Sequence, residues 1–207
     1  MTGRRITILG IFVADVAFRT PRNPAWGETV IGSGFTLGPG GKGSNQAVAA
    51  ARPGGAVGFI SKLGRDTFGD LARQLYAEEG IDTRYLLETS EHATGAAAII
   101  IDEARGENAI IVYPGSCSHL DAAEVDEARG EIGRSAVFTT NLELPVPVVV
   151  RGAGLSRLPL ALSRREQPLG RQSGEEYGEC NGVHRLPPVG RHRNLRRPGA
   201  HAGLRAQ

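Results

Sequence analysis

The densest group of residues able to do chemistry is the run Gly40-Gly41-Lys42-Gly43-Ser44-Asn45-Gln46-Ala47-Val48-Ala49-Ala50. Glycines leading into a helix-forming stretch put bare backbone N–H groups at a helix N-terminus, where the first turn has no intrahelical partners for them. That arrangement suits a ligand rich in oxygen atoms. Glycine lets such a ligand approach without a β-carbon in the way. Lys42 and Asn45 add directed donors. A phosphate loop of the Gly-x-x-x-x-Gly-Lys-Ser/Thr type is excluded, because Gly43 follows Lys42 where a hydroxyl is needed. A dinucleotide fingerprint matches literally as Gly38-x-Gly40-x-x-Gly43. It follows an extended arm rather than the first strand, however, and the next strand ends in Ser61-Lys62 where an acid should meet ribose hydroxyls. The remaining reading is a plain glycine-rich turn from strand to helix, and spacing alone leaves these last two open.

The elements that must hold this loop can be read from apolar patterning. Ile6 to Val13 is a buried, β-branched first strand, and Glu28 to Leu37 is a short hairpin or extended arm. Ser44 is expected to cap a helix from Asn45 to Arg52, which Pro53-Gly54-Gly55 stops. Val57 to Leu63 is a second buried strand. Asp66 to Glu79 is amphipathic, with Phe68, Leu71, Leu75 and Tyr76 at helical spacing, and Gly80 ends it. Tyr85 to Glu88, Ala96 to Asp102 and Ala109 to Tyr113 read as strands, with a turn over Glu103 to Asn108. Asp121 caps a helix running to Ile132, Ser135 to Thr139 is a further strand, and Asn141-Leu142-Glu143 follows its end. Strands alternating with helices argue an α/β sheet with crossover helices. The strands near Glu28 and Ala96 fall outside that alternation and suit a small separate sheet.

The bulk composition limits the function classes. The 207 residues carry a net charge of +2, a near-neutral average that hides an asymmetry along the chain. A length of 207 fits one domain, or one domain with a small appendage. Cys117 and Cys180 lie far apart and match no metal spacing, which points to a reduced, cytoplasmic setting and no metal site. The apolar run after Arg5 is too short to span a membrane and lacks a signal-peptide pattern, so no membrane partner is expected.

Beyond the glycines, the sequence resembles the ribokinase branch of the ribokinase/phosphofructokinase-B carbohydrate kinase family. Gly40 to Ala50 is similar to its first signature. Leu9-Gly10 with Ala14-Asp15 resembles the family's first strand and substrate aspartate, and Gly27-Glu28-Thr29 the start of its lid arm. Gly64-Arg65-Asp66-Thr67-Phe68-Gly69 resembles its Gly-x-Asp-x-x-Gly turn. Thr94-Gly95 and Gly106-Glu107-Asn108 fall where the family has lid strands, and Asn141-Leu142-Glu143 resembles its Gln-Leu-Glu strand end. These matches, in family order, cover Ile6 to Val150.

The resemblance implies a truncated ribokinase-like three-layer α/β fold. Residues 1–150 would form the sugar-binding part, with β lid strands near 28–37 and 96–113. It implies an ATP-dependent sugar kinase, with Asp15, Gly41, Lys42, Asn45 and Glu143 holding the hydroxyls of D-ribose or a related sugar. The bland alternatives are that Asp15 caps a turn and Glu143 is a solvated strand end. The family's Asn two residues before the aspartate is Val13 here. The resemblance also implies Mg2+ with ATP, a monovalent cation activator, and a homodimer formed through lid strands.

The second half of the family pattern is missing. A Gly-Ala-Gly-Asp signature would supply the catalytic base, but Gly152-Ala153-Gly154 is followed by Leu155 and no aspartate comes later. No catalytic residue and no nucleotide site can be assigned, so this chain is expected to be inactive, or a sugar-binding remnant without catalysis. From Arg151 onward there is no Lys, Asp, Ile, Phe or Thr, while Arg, Gly and Pro recur. That is what GC-rich coding DNA gives when read out of frame, and 151–207 is expected to be a disordered tail. A genuine basic tail would have Arg191 to Arg197 as its nucleic-acid patch. Tyr177 is its only aromatic, so no nucleic-acid partner is expected.

Overall fold

The computed structural model of the chain describes residues 5–158. In chain order the first elements are β1 (Arg5–Leu9), β2 (Val13–Thr20), β3 (Gly34–Gly40), α1 (Lys42–Ala51), β4 (Ala56–Gly64), α2 (Thr67–Glu78) and β5 (Asp82–Thr89). There follow β6 (Thr94–Asp102), β7 (Glu107–Gly115), a 3-10 turn (Ser116–His119), α3 (Ala122–Glu127), α4 (Arg129–Arg134), β8 (Val137–Thr140) and α5 (Val146–Leu155).

These strands form two four-stranded sheets. The main sheet has the order β5-β4-β1-β8 and is parallel throughout. Parallel strands need helical crossovers that cover both faces, so the strands are apolar on both sides. Neighbours in β1 accordingly serve opposite layers. Ile8 packs with Phe59, Ala47, Ala72 and Tyr76 beneath α1 and α2. Leu9 packs with Ile60, Val125, Ile132 and Val148 beneath α3, α4 and α5. The result is the expected three-layer α/β fold with a small β lid. The lid sheet has the order β3-β2-β6-β7, with β2 parallel to β6 and the other pairs antiparallel.

Local chemistry explains most boundaries. Asp66 caps α2 by accepting the Gly69 N–H at 2.8 Å, and Gly80 leaves the helix at φ 65°. Asp121 and Glu124 form a reciprocal capping box on α3.

Four expectations need correction. The apolar run Ile6 to Val13 is not one strand. β1 stops at Leu9, the chain passes through Gly10–Phe12, and β2 starts at Val13 in the lid. Both segments are buried, so hydrophobicity carries no mark of the break. The helix expected from Asp121 to Ile132 is two short helices meeting at Ala128. Ser44 does not cap α1. It lies inside the helix and is buried, and Gly41 is the N-cap with no side-chain bond. The lid arm expected near 28–37 is strand only from Gly34, and its neighbour is β2, which the sequence reading did not assign to the lid.

The change of composition at Arg151 falls inside α5, where Arg151 pairs with Asp126 of α3 at 2.6 Å. Gly152-Ala153-Gly154 is therefore helix. Gly152 is buried, and a β-carbon there would lie 2.5 Å from Leu9 Cδ2. The part of the expected tail from 159 onward lies outside the described residues. Among the described residues, no helix is long and apolar enough to cross a membrane.

Candidate functional site

The site forms at the C-terminal ends of β1 and β8, where open α/β sheets place ligand crevices. The N-terminus of α1 is pressed into the link between β1 and β2. A β-carbon on Gly10 would come within 2.6 Å of the Gly43 Cα, and one on Gly43 would sit equally close to Gly10. The Ser44 N–H donates to the Ile11 carbonyl at 3.1 Å. Gly41 has φ 88°, and a side chain there would also meet the Ile11 carbonyl at 2.5 Å. The glycines of the loop thus permit close backbone packing as well as ligand approach.

Charged groups converge on this helix end. Glu143, in the turn between β8 and α5, accepts the Lys42 backbone N–H at 3.0 Å and the Lys42 Nζ at 2.5 Å. It therefore caps α1 from 101 residues away, where Gly41 cannot. Asp15 sits in β2 opposite Gly38 on one side and Ala97 of β6 on the other. Its carboxylate lies over Gly40, where any side chain would overlap it. Burial, and then the negative charge of Glu143, push the Asp15 carboxyl above its ordinary value. Among the described residues no hydrogen bond holds Asp15, so the carboxylate can accept from a ligand.

The nearest neighbours of Asp15 on its face of the lid strands are small or apolar. Strand pairing sets Val13 between Gly40 and Gly95, and Asp15 between Gly38 and Ala97. Val13 is 5% exposed and Ala97 is 3% exposed. Beneath lies Cys117, a buried free thiol that donates to the Lys62 carbonyl at 3.1 Å, with its ionisation suppressed by burial.

Sequence reading missed several supporting residues. The Tyr76 hydroxyl donates to Ser44 Oγ at 2.9 Å in a fully buried pair, tying α2 to the glycine loop. Burial raises the Tyr76 phenol, so it stays a donor. Thr94 donates its backbone N–H to Asp66 at 2.7 Å, and its hydroxyl accepts the Gly64 N–H at 2.9 Å. The Gly64 to Gly69 turn thereby anchors the start of lid strand β6. Burial raises the Asp66 carboxyl, but the N–H groups of Thr94 and Gly69 outweigh it and hold the group below its usual value. Asn141 accepts the Glu143 N–H at 3.2 Å. Thr94, Asp66, Ser44 and Asn141 stood in short motifs of the sequence, and Tyr76 only in the helical spacing of apolar residues.

The structure brings Asp15, Gly41, Lys42 and Glu143 to one helix end. Asn45 lies one turn further along α1. Its exposed side chain lines a groove of about 290 Å3 with Pro39, Val48, Arg52 and Leu75. Glu143 is no solvated strand end, since both of its oxygens are engaged. Among the described residues, no group of three or more His, Cys, Asp or Glu is arranged to hold a metal ion. Gly152 to Gly154 cannot act as a phosphate nest, because they lie within α5. Among the described residues, then, neither a cluster of metal ligands nor a phosphate nest at Gly152 to Gly154 is formed.

The profile of the pfkB family carbohydrate kinases matches residues 4–149. The ribokinase of Haemophilus influenzae is 36% identical over 154 residues, covering 74% of this chain and 50% of that protein. The ribokinase structure from Giardia lamblia matches with a TM-score of 0.68 at 28% identity, over 73% of this chain and 49% of that one. The Arabidopsis thaliana ribokinase structure, complexed with ribose and ATP, shares the fold with a TM-score of 0.69 at 23% identity. That match covers 74% of this chain and 50% of that one. The chain spans about half the length of the curated relatives it matches.

Proposed function

The chain belongs to the pfkB family of carbohydrate kinases, and from that premise we propose that residues 5–158 are the sugar-binding part of an ATP-dependent sugar kinase, with D-ribose or a related pentose as the sugar. The observation that carries the reading is the unbonded Asp15 carboxylate facing the capped N-terminus of α1. A carboxylate can accept two hydroxyls at once, and Lys42 and Asn45 supply donors to others. Gly41 lets the sugar reach the backbone.

Val13 refines the choice of sugar. An apolar side chain beside Asp15 leaves a buried hydroxyl there without a partner, at a cost of about 1–3 kcal/mol. A pentose with no hydroxyl at that point suits the site at least as well as D-ribose.

Phosphoryl transfer needs groups that the described residues do not contain. ATP, Mg2+ and a monovalent cation are proposed for the longer relatives, and no step through them is assigned to this chain. We expect the 207-residue chain to bind sugar without turnover. The setting proposed is the cytoplasm, consistent with the free thiol of Cys117. The lid strands expose Phe35, Leu37, Ile111 and Tyr113, an apolar surface suited to pairing with a second copy.

The test is a thermal shift of the purified chain with D-ribose and 2-deoxy-D-ribose, alongside an assay for sugar-dependent ADP release. A sugar-induced rise in Tm without ADP supports the reading. ATP-dependent phosphorylation of either sugar overturns the expected inactivity, and no shift with any pentose overturns the sugar site.

A further inference from the structure

We propose that Asn141 is a positioning residue for this site, holding Glu143 in the orientation that caps α1 and sets the charge felt by Asp15. The inference rests on the sugar-site reading for its meaning, but its geometry stands independently.

Asn141 directly follows β8, and its Oδ1 accepts the backbone N–H of Glu143 at 3.2 Å. This is the side-chain-closed turn that Asn and Asp make with the backbone two residues on. It leaves Leu142 at the exposed tip and turns Glu143 back toward α1. Both Glu143 oxygens then reach Lys42, one on the backbone N–H and one on Nζ.

The same side chain carries an unmet cost. Asn141 Nδ2 is buried without a hydrogen-bond partner. It lies against Gly10, where an added β-carbon would be 3.6 Å from it. The amide orientation is fixed, because the Glu143 N–H needs an acceptor and Nδ2 cannot be one. A buried donor without a partner lowers stability, and such atoms in native folds mark places where another demand prevails. Here that demand is the turn that delivers Glu143. An aliphatic residue would remove the orphan donor but lose the turn.

The consequence reaches Asp15 through charge. The negative charge of Glu143 is one of the causes raising the Asp15 carboxyl. If the turn is lost, Glu143 swings into solvent. Asp15 then titrates lower, and the Lys42 N–H at the start of α1 loses its acceptor.

The experiment uses the full 207-residue chain and compares Asn141→Ala, Asn141→Ser and Asn141→Gln. Serine keeps a short side-chain oxygen able to close the same turn, whereas glutamine is one methylene too long. The readouts are the Asp15 carboxyl titration by carbon-13 NMR, hydrogen exchange at the Lys42 amide, and the Kd for D-ribose. Expected in the Ala and Gln variants are a downward shift of the Asp15 titration, faster Lys42 exchange and about tenfold weaker sugar binding. Ser should restore all three. In a Glu143→Ala background, Asn141→Ala should have no further effect on Asp15. An unchanged Asp15 titration and Lys42 exchange in Asn141→Ala overturns the proposal, as does an equal shift with Glu143 already removed. If the wild-type chain binds no pentose, the sugar-site reading fails, while the titration and exchange still decide the role of Asn141.

Discussion

The two ends of the main sheet both gather charge, and they use it in opposite ways. At the N-terminal end, Arg5 opens β1 and pairs with both Asp82 and Glu131. Arg84 joins the same acids, 2.7 Å from Asp82 and 3.3 Å from Glu131. Glu131 is 4% exposed, and every charge there has an opposite partner. At the C-terminal end, Asp15 has no hydrogen bond, Glu143 repels it, and Asn141 and Thr140 each carry a buried atom without a partner. One end is saturated and serves stability. At the other, the Asp15 carboxylate is left without a hydrogen bond among the described residues. The difference shows in one carboxylate from each end: Asp82 is held below its ordinary value, and Asp15 above it.

The largest effect expected from breaking this contrast is at Glu131. Glu131→Ala removes the two hydrogen bonds that this buried carboxylate accepts from Arg5 and Arg84, each worth about 1.5–3 kcal/mol, while both arginines keep Asp82 as a partner. Urea denaturation should show that loss, while the folded fraction still binds sugar with unchanged Kd. Next in size is Asp15→Ala at the other end. Each hydrogen bond to a charged group is worth about 1.5–3 kcal/mol, so pentose binding should weaken more than tenfold. Stability should hold or rise, because a carboxylate whose charge is disfavoured by burial and by Glu143 has been removed. A Glu131→Ala chain of full stability, or an Asp15→Ala chain that melts early, would erase the distinction between the two ends.

The pH dependence sharpens the comparison, because the two ends have opposite signs. Asp82 is held well below its usual carboxylate range, chiefly by the hydrogen bond from Arg84. Its contribution is fully present above the unfolded value of 3.8 and is lost as pH falls through the lower folded value. Asp15 has a raised folded value, so the folded state holds its proton longer than the unfolded chain does. Its charge therefore costs stability as pH rises from 3.8 through that raised value, and the cost disappears below 3.8. Removing Asp82 by Asp82→Asn should flatten the acid limb of a Tm-against-pH curve. Asp15→Asn should steepen the rise of stability with pH on leaving that limb.

How much of this was legible in the sequence differs between the two ends. The glycine loop pointed to the binding end only with the family resemblance beside it, because its spacing alone left a plain strand-to-helix turn open. Asp66, Asp121 and Gly80 announced their helix ends through local chemistry. What stayed hidden was set by long-range geometry. Lys42 and Glu143 were separate candidates, and nothing in spacing could pair residues 101 positions apart. The Arg5 cluster joins β1, β5 and α4 and left no motif. The split between β1 and β2 was invisible because Ile11 and Phe12 are as buried as the strands beside them. Ser44 looked like a cap because serine favours that place. The structure uses its hydroxyl inward because Gly41 already turns the chain and Glu143 supplies the capping oxygen.

The smallest predicted effect tests whether the binding end draws its rigidity from α2. Tyr76 is wedged between Phe12 and Phe59, with ring centroids 6.3 and 5.1 Å away. Its hydroxyl reaches Ser44 in the first half of α1. Tyr76→Phe keeps the ring packing and removes one buried hydrogen bond, a loss of about 1 kcal/mol. Ser44 Oγ loses its donor, while the serine hydroxyl can still donate to a carbonyl one turn back, so the cost stays that of one hydrogen bond. If the bond only adds stability, Tm falls slightly and pentose affinity is unchanged. If it also fixes the glycine loop against Gly10, Lys42 amide exchange quickens and sugar binding weakens in step with it. The second outcome is expected, because the contact between Gly43 and Gly10 leaves the loop no room to shift without moving the site.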